Sequence, residues 1–187
     1  MFIEVLKLKN HLSSLKPMCL VLAATFSETS SQTFQAFLPQ FESDPSSQAK
    51  EAAKQLIRKL QGFAATVGLA VATVGGALAL YGSSLFTADL AVAAALKPLA
   101  LPLFLAAALH SLICSAEGVL LVQKEFGFLG KVYSSSAVLM PLVLLALKQQ
   151  GAGLRAVWDA FVAFQAIRVV ILNGRVHLRR ERAPAPA

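Results

Sequence analysis

The sequence predicts an all-α integral membrane protein with about five transmembrane helices, and three observations carry that expectation. Apolar stretches of roughly 16 to 26 residues fill the chain after residue 61, and about 20 residues suffice to span a bilayer core at a rise of 1.5 Å each. Hydrophobic residues make up 56% of the 187 residues and charged ones 14%, with a mean hydropathy of +0.64; a soluble domain so composed lacks the polar surface to cover itself. The basic residues cluster in the gaps between apolar stretches and in the tail, where loops and lipid headgroups accept them. The net charge of +7 therefore reads as membrane-facing loops and not as a nucleic-acid surface.

The opening segment, residues 1–16, mixes three lysines with Glu4 and has no long apolar run, too polar for a signal-peptide core. It reads as a surface segment leading into the membrane domain, residues 17–178. The first expected span, Pro17 to Phe41, has a greasy half up to Phe26. Its second half carries Glu28, Gln32 and Gln35 among serines and threonines, which must face protein or a wet cavity, never lipid. Pro39 is its natural end. Asp44-Pro45-Ser46-Ser47 follows as a capping-type turn into a charged, interfacial helix that runs into span two.

Span two, Gly62 to Phe86, places Gly68, Ala72, Gly76 and Ala79 on one stripe, the small-residue spacing that lets two helix backbones approach closely. Residues 88–96 read as a helical lead-in at the surface. Span three, Pro98 to Val122, opens with Pro98 and Pro102, each of which removes a backbone donor and invites a bend. Span four, Leu129 to Leu147, contains Pro141, and span five, Leu154 to Val176, has Trp158 near its start as a headgroup-level anchor. Residues 179–187, basic and then Ala-Pro repeats, are expected to be disordered. Cys19 and Cys114 both lie in apolar surroundings and read as small buried hydrophobes, not as a disulfide or metal pair.

Five spans put the termini on opposite sides. Lys50, Lys54, Arg58, Lys59, Lys124, Lys131, Arg175, Arg179, Arg180 and Arg182 collect on one side; Lys7, Lys9, Lys16, Lys97, Lys148 and Arg155 collect on the other. The excess of basic residues puts the carboxyl terminus on the cytoplasmic or plastid-stromal face.

Ionisable groups inside hydrocarbon persist where they are paired, hydrated or useful. Glu117 lies deep in span three with His110 seven residues earlier, close to two turns, so both point the same way roughly 10 Å apart along the axis. A carboxylate and an imidazole on one cavity face are parts of a proton or cation relay, and the same carboxylate also suits a structural hydrogen bond to a neighbouring helix. Glu28, Gln32 and Gln35 share a face and either line a solute path or bond to partner helices; the sequence leaves both open. Asp159 and Arg168 fall on opposite faces of span five, which sends Arg168 to the interface or to a carboxylate on another helix. No nucleophile–base set, metal-ligand spacing or phosphate-cradling glycine loop appears, so the chain is expected to be no enzyme, with no cofactor.

Two stretches, ETSSQTFQAFLP at residues 28–39 and AEGVLLVQKEFGFL at residues 116–129, carry a more specific resemblance. They are similar to the motifs E-P-L-S-Q-T-A-Q-S-F-M-P and L-E-G-T-L-L-x-x-R-D-L of the multidrug and toxic compound extrusion (MATE) transporters, in their plant and algal chloroplast-type branch. Glu28, Ser31, Gln32, Thr33, Gln35, Phe37 and Pro39 fit the first, and Glu117, Gly118, Leu120, Leu121, Glu125 and Phe126 fit the second. Gly153-Leu154-Arg155 before Trp158, then Phe164-Gln165 and Arg168, resembles the family's last helix. Thr29 stands where the family has proline, and Val122-Gln123 where it has small residues.

The resemblance implies two six-helix lobes around a cavity, of which the five spans would be most of the carboxyl-terminal one. It implies a multi-pass antiporter that exports an organic solute in exchange for protons or sodium, in the plastid envelope, and it puts the coupling carboxylate at Glu117. It also implies an amino-terminal lobe as partner if the chain is a fragment, or a lobe remnant that inserts without transport.

Overall fold

The computed structural model describes residues 28–42, 46–82, 94 and 97–182. Residues 28–37 are helical (α1) and meet a bend at Leu38, after which Pro39–Glu42 forms one further turn (α2). The long helices are α3 (Ser47–Tyr81), α4 (Ala100–Val122), α5 (Phe126–Gln149) and α6 (Leu154–Arg182), with a 3-10 turn, Lys97–Leu99, ahead of α4. No strand occurs among the described residues. Among the described residues, four helices are long and apolar enough to cross a membrane. The expected first span falls partly outside the described residues, as do the opening segment, Cys19, most of the lead-in at 88–96 and the residues after 182.

The interfacial helix and span two are one helix, α3. Ser46 starts it: its backbone is extended and its hydroxyl accepts from the Ala49 N–H at 3.1 Å, satisfying one of the helix's orphan donors. At about 1.5 Å per residue α3 is roughly 52 Å long, so its charged first turns, with Lys50, Glu51, Lys54, Arg58 and Lys59, stand outside a hydrocarbon core of about 30 Å.

The α4 and α5 helices end in the same way. Glu125 N–H bonds the Leu120 carbonyl and Lys124 N–H the Leu121 carbonyl, while Ala152 N–H bonds Leu147 and Gly151 N–H bonds Lys148. Both are Schellman closures, which need a left-handed residue just past the helix. Gly151 supplies it at φ 65°, but at the first it is Lys124, at φ 57°.

The small-residue stripe packs α3 on α4. A Cβ on Gly68 would meet the Ser111 Cβ at 2.5 Å, and one on Gly76 the Phe104 Cβ at 3.4 Å. Rising numbers in α3 meet falling ones in α4, so the pair is antiparallel. The Ser111 hydroxyl donates to the Ala64 carbonyl at 2.7 Å across this seam. The core lies at the end of the bundle where α1 and the first half of α3 meet the closing turns of α4 and α6, around Phe34, Leu38, Ile57, Ile113, Leu120, Leu172 and Val176. Pro102 is buried in the first turn of α4, where its missing N–H has no helical partner to lose. The α5 helix stands apart, with Leu129 its one buried residue.

One expectation changes. The helix of span five continues past residue 178 to Arg182, so the first part of the tail expected to be disordered is ordered; Arg179 forms an ion pair with Glu125 there. The first helical segment breaks at Leu38, just ahead of Pro39 as expected, and α2 begins on that proline, which suits the first turn of a new helix.

Candidate functional site

Glu117, on α4, and Arg168, on α6, meet in the middle of the bundle. The two helices run parallel, since Pro98 just ahead of α4, Glu117 on it and Glu125 just past it meet Arg155, Arg168 and Arg175 of α6 in the same order. The Arg168 Nη2 donates to the Glu117 Oε1 at 2.8 Å, and each side chain is 16% exposed. Its Nη1 reaches the Oε1 of buried Gln165 at 3.4 Å. The guanidinium lies over two rings, Tyr133 of α5 at 5.2 Å and Phe164 at 5.9 Å, where the ring quadrupole favours a cation. Its buried Nε has no acceptor among the described residues. The Tyr133 hydroxyl also faces the Glu117 carboxylate. Three helices therefore surround one carboxylate–guanidinium pair in apolar surroundings, where a lone charge of either sign would cost several kcal/mol.

His110 lies two turns from Glu117 on α4, half-buried, with its Nε2 3.6 Å from the Sγ of Cys114. Cys114 is free and buried. Glu117 and Glu28 both act electrostatically on His110, so these three groups share one neighbourhood, but the direct partner of Glu117 is Arg168. Glu28, Gln32 and Gln35 are exposed on α1, and the Gln35 amide donates to the Ser31 hydroxyl at 3.2 Å. The α1 helix sits tightly on α4 beside the pair: a Cβ on Gly118 would meet the Ser31 Cα at 2.7 Å.

A second ion cluster closes the bundle one helical stretch further on. The Glu125 side chain is 6% exposed and accepts from Arg175 at 2.8 Å, with Arg179 pairing to its other oxygen. Arg175 also lies over the Phe128 ring at 5.2 Å. This cluster pins the α4–α5 turn to α6. Among the described residues, no group of three or more His, Cys, Asp or Glu could hold a metal ion.

The sequence named Glu117 and His110 and sent Arg168 to the interface or to a carboxylate on another helix, but it gave no sign of Tyr133, and Phe164 and Gln165 entered only through a resemblance. The signal was present in the charges themselves. A buried carboxylate on one span and a guanidinium in the middle of another must find each other or be hydrated.

No protein-family model matches the chain, and no solved structure matches it. Among curated proteins the chain is similar to Protein DETOXIFICATION 47, chloroplastic, of Arabidopsis thaliana, at 30% identity over 138 residues. The match covers 74% of this chain and 25% of that protein, so the chain spans about a quarter of the length of the relative it matches. That relative is a MATE-family protein, so the likeness agrees with the resemblance read from residues 28–39 and 116–129.

Proposed function

We propose that the chain is part of the carboxyl-terminal lobe of a MATE-type secondary antiporter, exporting an organic solute in exchange for protons or sodium, with Glu117 as the coupling carboxylate. The observation that carries this reading is the Glu117–Arg168 pair at 2.8 Å. An antiporter needs a carboxylate whose counter-charge can be exchanged during a cycle, and a pair held between two parallel helices and roofed by a third offers one. Arg168 neutralises Glu117 when no coupling ion is present, and a proton or sodium ion takes its place when one arrives. Either exchange shifts the carboxylate's preferred partner and so the packing of α4 against α6. Glu28 and His110 supply further polar surface to the same path, with Gln32 and Gln35 beside them on α1. On this reading the protein is a multi-pass membrane transporter and no enzyme. The chloroplast named for the relative makes the plastid envelope its proposed membrane.

The experiment is solute flux in sealed vesicles carrying the chain, under an imposed proton or sodium gradient, with fluorescent organic solutes of both charge signs. Glu117→Gln keeps size and an acceptor for Arg168 but cannot exchange its charge. It is expected to abolish gradient-driven flux with insertion unchanged. Flux near that of the parent would return Glu117 to a structural role. A second reading is favoured by the match to only 25% of the relative: a lobe that inserts and does not transport without a complementary amino-terminal lobe. Full insertion with no flux in the parent chain, restored by supplying that lobe, is its signature.

A further inference from the structure

At the end of the bundle opposite the Glu125 cluster, a cleft of about 520 Å³ opens between the close of α3 and the start of α4. Its wall is apolar, with Leu80, Leu101 and Phe104 prominent, and Gly76 deepens its floor. Two cations stand on its rim, Lys97 and Arg155, and no acidic residue lines it among the described residues. Arg155 is held in place: its Nε binds both Asp159 oxygens at 3.0 Å and its Nη1 donates to the Pro98 carbonyl at 3.0 Å. The Lys97 ammonium has no ion-pair partner among the described residues. The cleft's depth in the membrane is marked by Trp158, one turn beyond Arg155, and by Tyr81, 84% exposed at the end of α3; both are residues that favour the headgroup level.

We propose that this cleft binds a phospholipid with an anionic headgroup, its phosphate between Lys97 and Arg155 and one acyl chain along Leu80, Leu101 and Phe104. A soluble anion would use the rim and leave the apolar wall empty, and a neutral apolar molecule would leave Lys97 unanswered. A lipid satisfies both parts, and it is the molecule that already lies against this surface in a bilayer. Because Arg155 ties α6 to the Pro98 carbonyl ahead of α4, an occupied cleft would join the ends of α3, α4 and α6. The proposal stands on the cleft alone and does not depend on transport.

The test is native mass spectrometry of the full chain in mild detergent, offered equal amounts of dioleoyl phosphatidylglycerol and dioleoyl phosphatidylcholine. The expected result is preferential retention of one phosphatidylglycerol, by roughly fivefold for each cation engaged. Lys97→Gln, which leaves the Arg155–Asp159 pair intact, should lower the preference by roughly fivefold. Ala77→Phe, which fills the cleft from α3, should release the lipid with both cations in place. Helix content by circular dichroism confirms that each variant is folded. Equal retention of the two lipids would overturn the proposal, as would a preference untouched by Lys97→Gln or binding untouched by Ala77→Phe. Displacement of the lipid by millimolar inorganic phosphate would make this a free-anion site and overturn the lipid assignment.

Discussion

Glu117 and Arg168 are each 16% exposed, and neither has a second partner of opposite charge among the described residues. Removing one partner leaves an uncompensated charge, which costs more than losing both. Glu117→Ala is therefore expected to destabilise the chain by about 3 kcal/mol. The double variant Glu117→Gln/Arg168→Gln should recover most of that loss, and Glu117→Gln alone, which still accepts from Nη2, should cost less than the alanine. Reversible unfolding in mixed micelles reads all three, and equal losses for the alanine and double variants would show the pair to be energetically idle. The sequence made Glu117 legible because a carboxylate in hydrocarbon is conspicuous. Its partner was narrowed to an interface or another carboxylate but not identified, because spacing within one helix says nothing about which helices lie side by side. Tyr133 was illegible for a related reason: an aromatic residue on an apolar helix has no mark until a cation is found over its ring.

At the level of elements, close approach through glycine is selective. Gly118 lies against the Ser31 backbone and Gly68 against Ser111, whereas Gly75 has nothing within 4 Å of where its Cβ would be. Gly118→Ala should cost about 1–3 kcal/mol, because its methyl meets main chain that cannot rotate away. Gly75→Ala should be neutral or stabilising by up to about 1 kcal/mol, from helix propensity alone. The same unfolding assay compares the two, and equal effects would mean that the α1–α4 contact does not hold. Lys124 offers a third case, since its left-handed backbone suits glycine: Lys124→Gly should raise stability by about 0.5–1 kcal/mol. The α3–α4 seam was readable beforehand from the spacing of small residues. The α1–α4 contact was not, because Gly118 stands alone and a single glycine has no period. The merging of the charged segment with span two into one helix was partly readable. Helix propensity runs unbroken from Ser47 to Tyr81, and what changes near Lys59 is only the solvent each face requires.

For the whole molecule, the four membrane-length helices among the described residues, each antiparallel to the one before it, give a definite sidedness. Lys50, at the start of α3, and Lys148, at the end of α5, belong to opposite faces. Lys50→Cys and Lys148→Cys, placed in a chain freed of Cys19 and Cys114, should be labelled from opposite sides of sealed vesicles by an impermeant maleimide. Labelling from one side only would break the topology. The all-α membrane class was legible from hydropathy. The location of the core near the Glu125 end was not, because in lipid an apolar residue carries no record of whether it faces a neighbour or an acyl chain.

Apolar length differs sharply within this one bundle. In α3 no charge intervenes between Lys59 and the helix end, an uncharged run of roughly 33 Å, while α5 is bracketed by Lys131 and Lys148 and offers roughly 24 Å at the same rise. A bilayer of uniform thickness cannot match both. In a thick membrane α3 fits and the lipid around α5 must thin, or its two lysines must stretch outward; in a thin one α5 fits and α3 must lean. Because α4 is locked to α3 at Gly68 and Gly76 while α5 is attached mainly near Leu129, leaning carries α3 and α4 together past a stationary α5. Tyr133 sits on that stationary helix, and Glu117 travels with α4. Hydrophobic mismatch thus becomes a lever on the distance between a carboxylate and the hydroxyl that faces it, and membrane thickness a variable that the ion pair can feel.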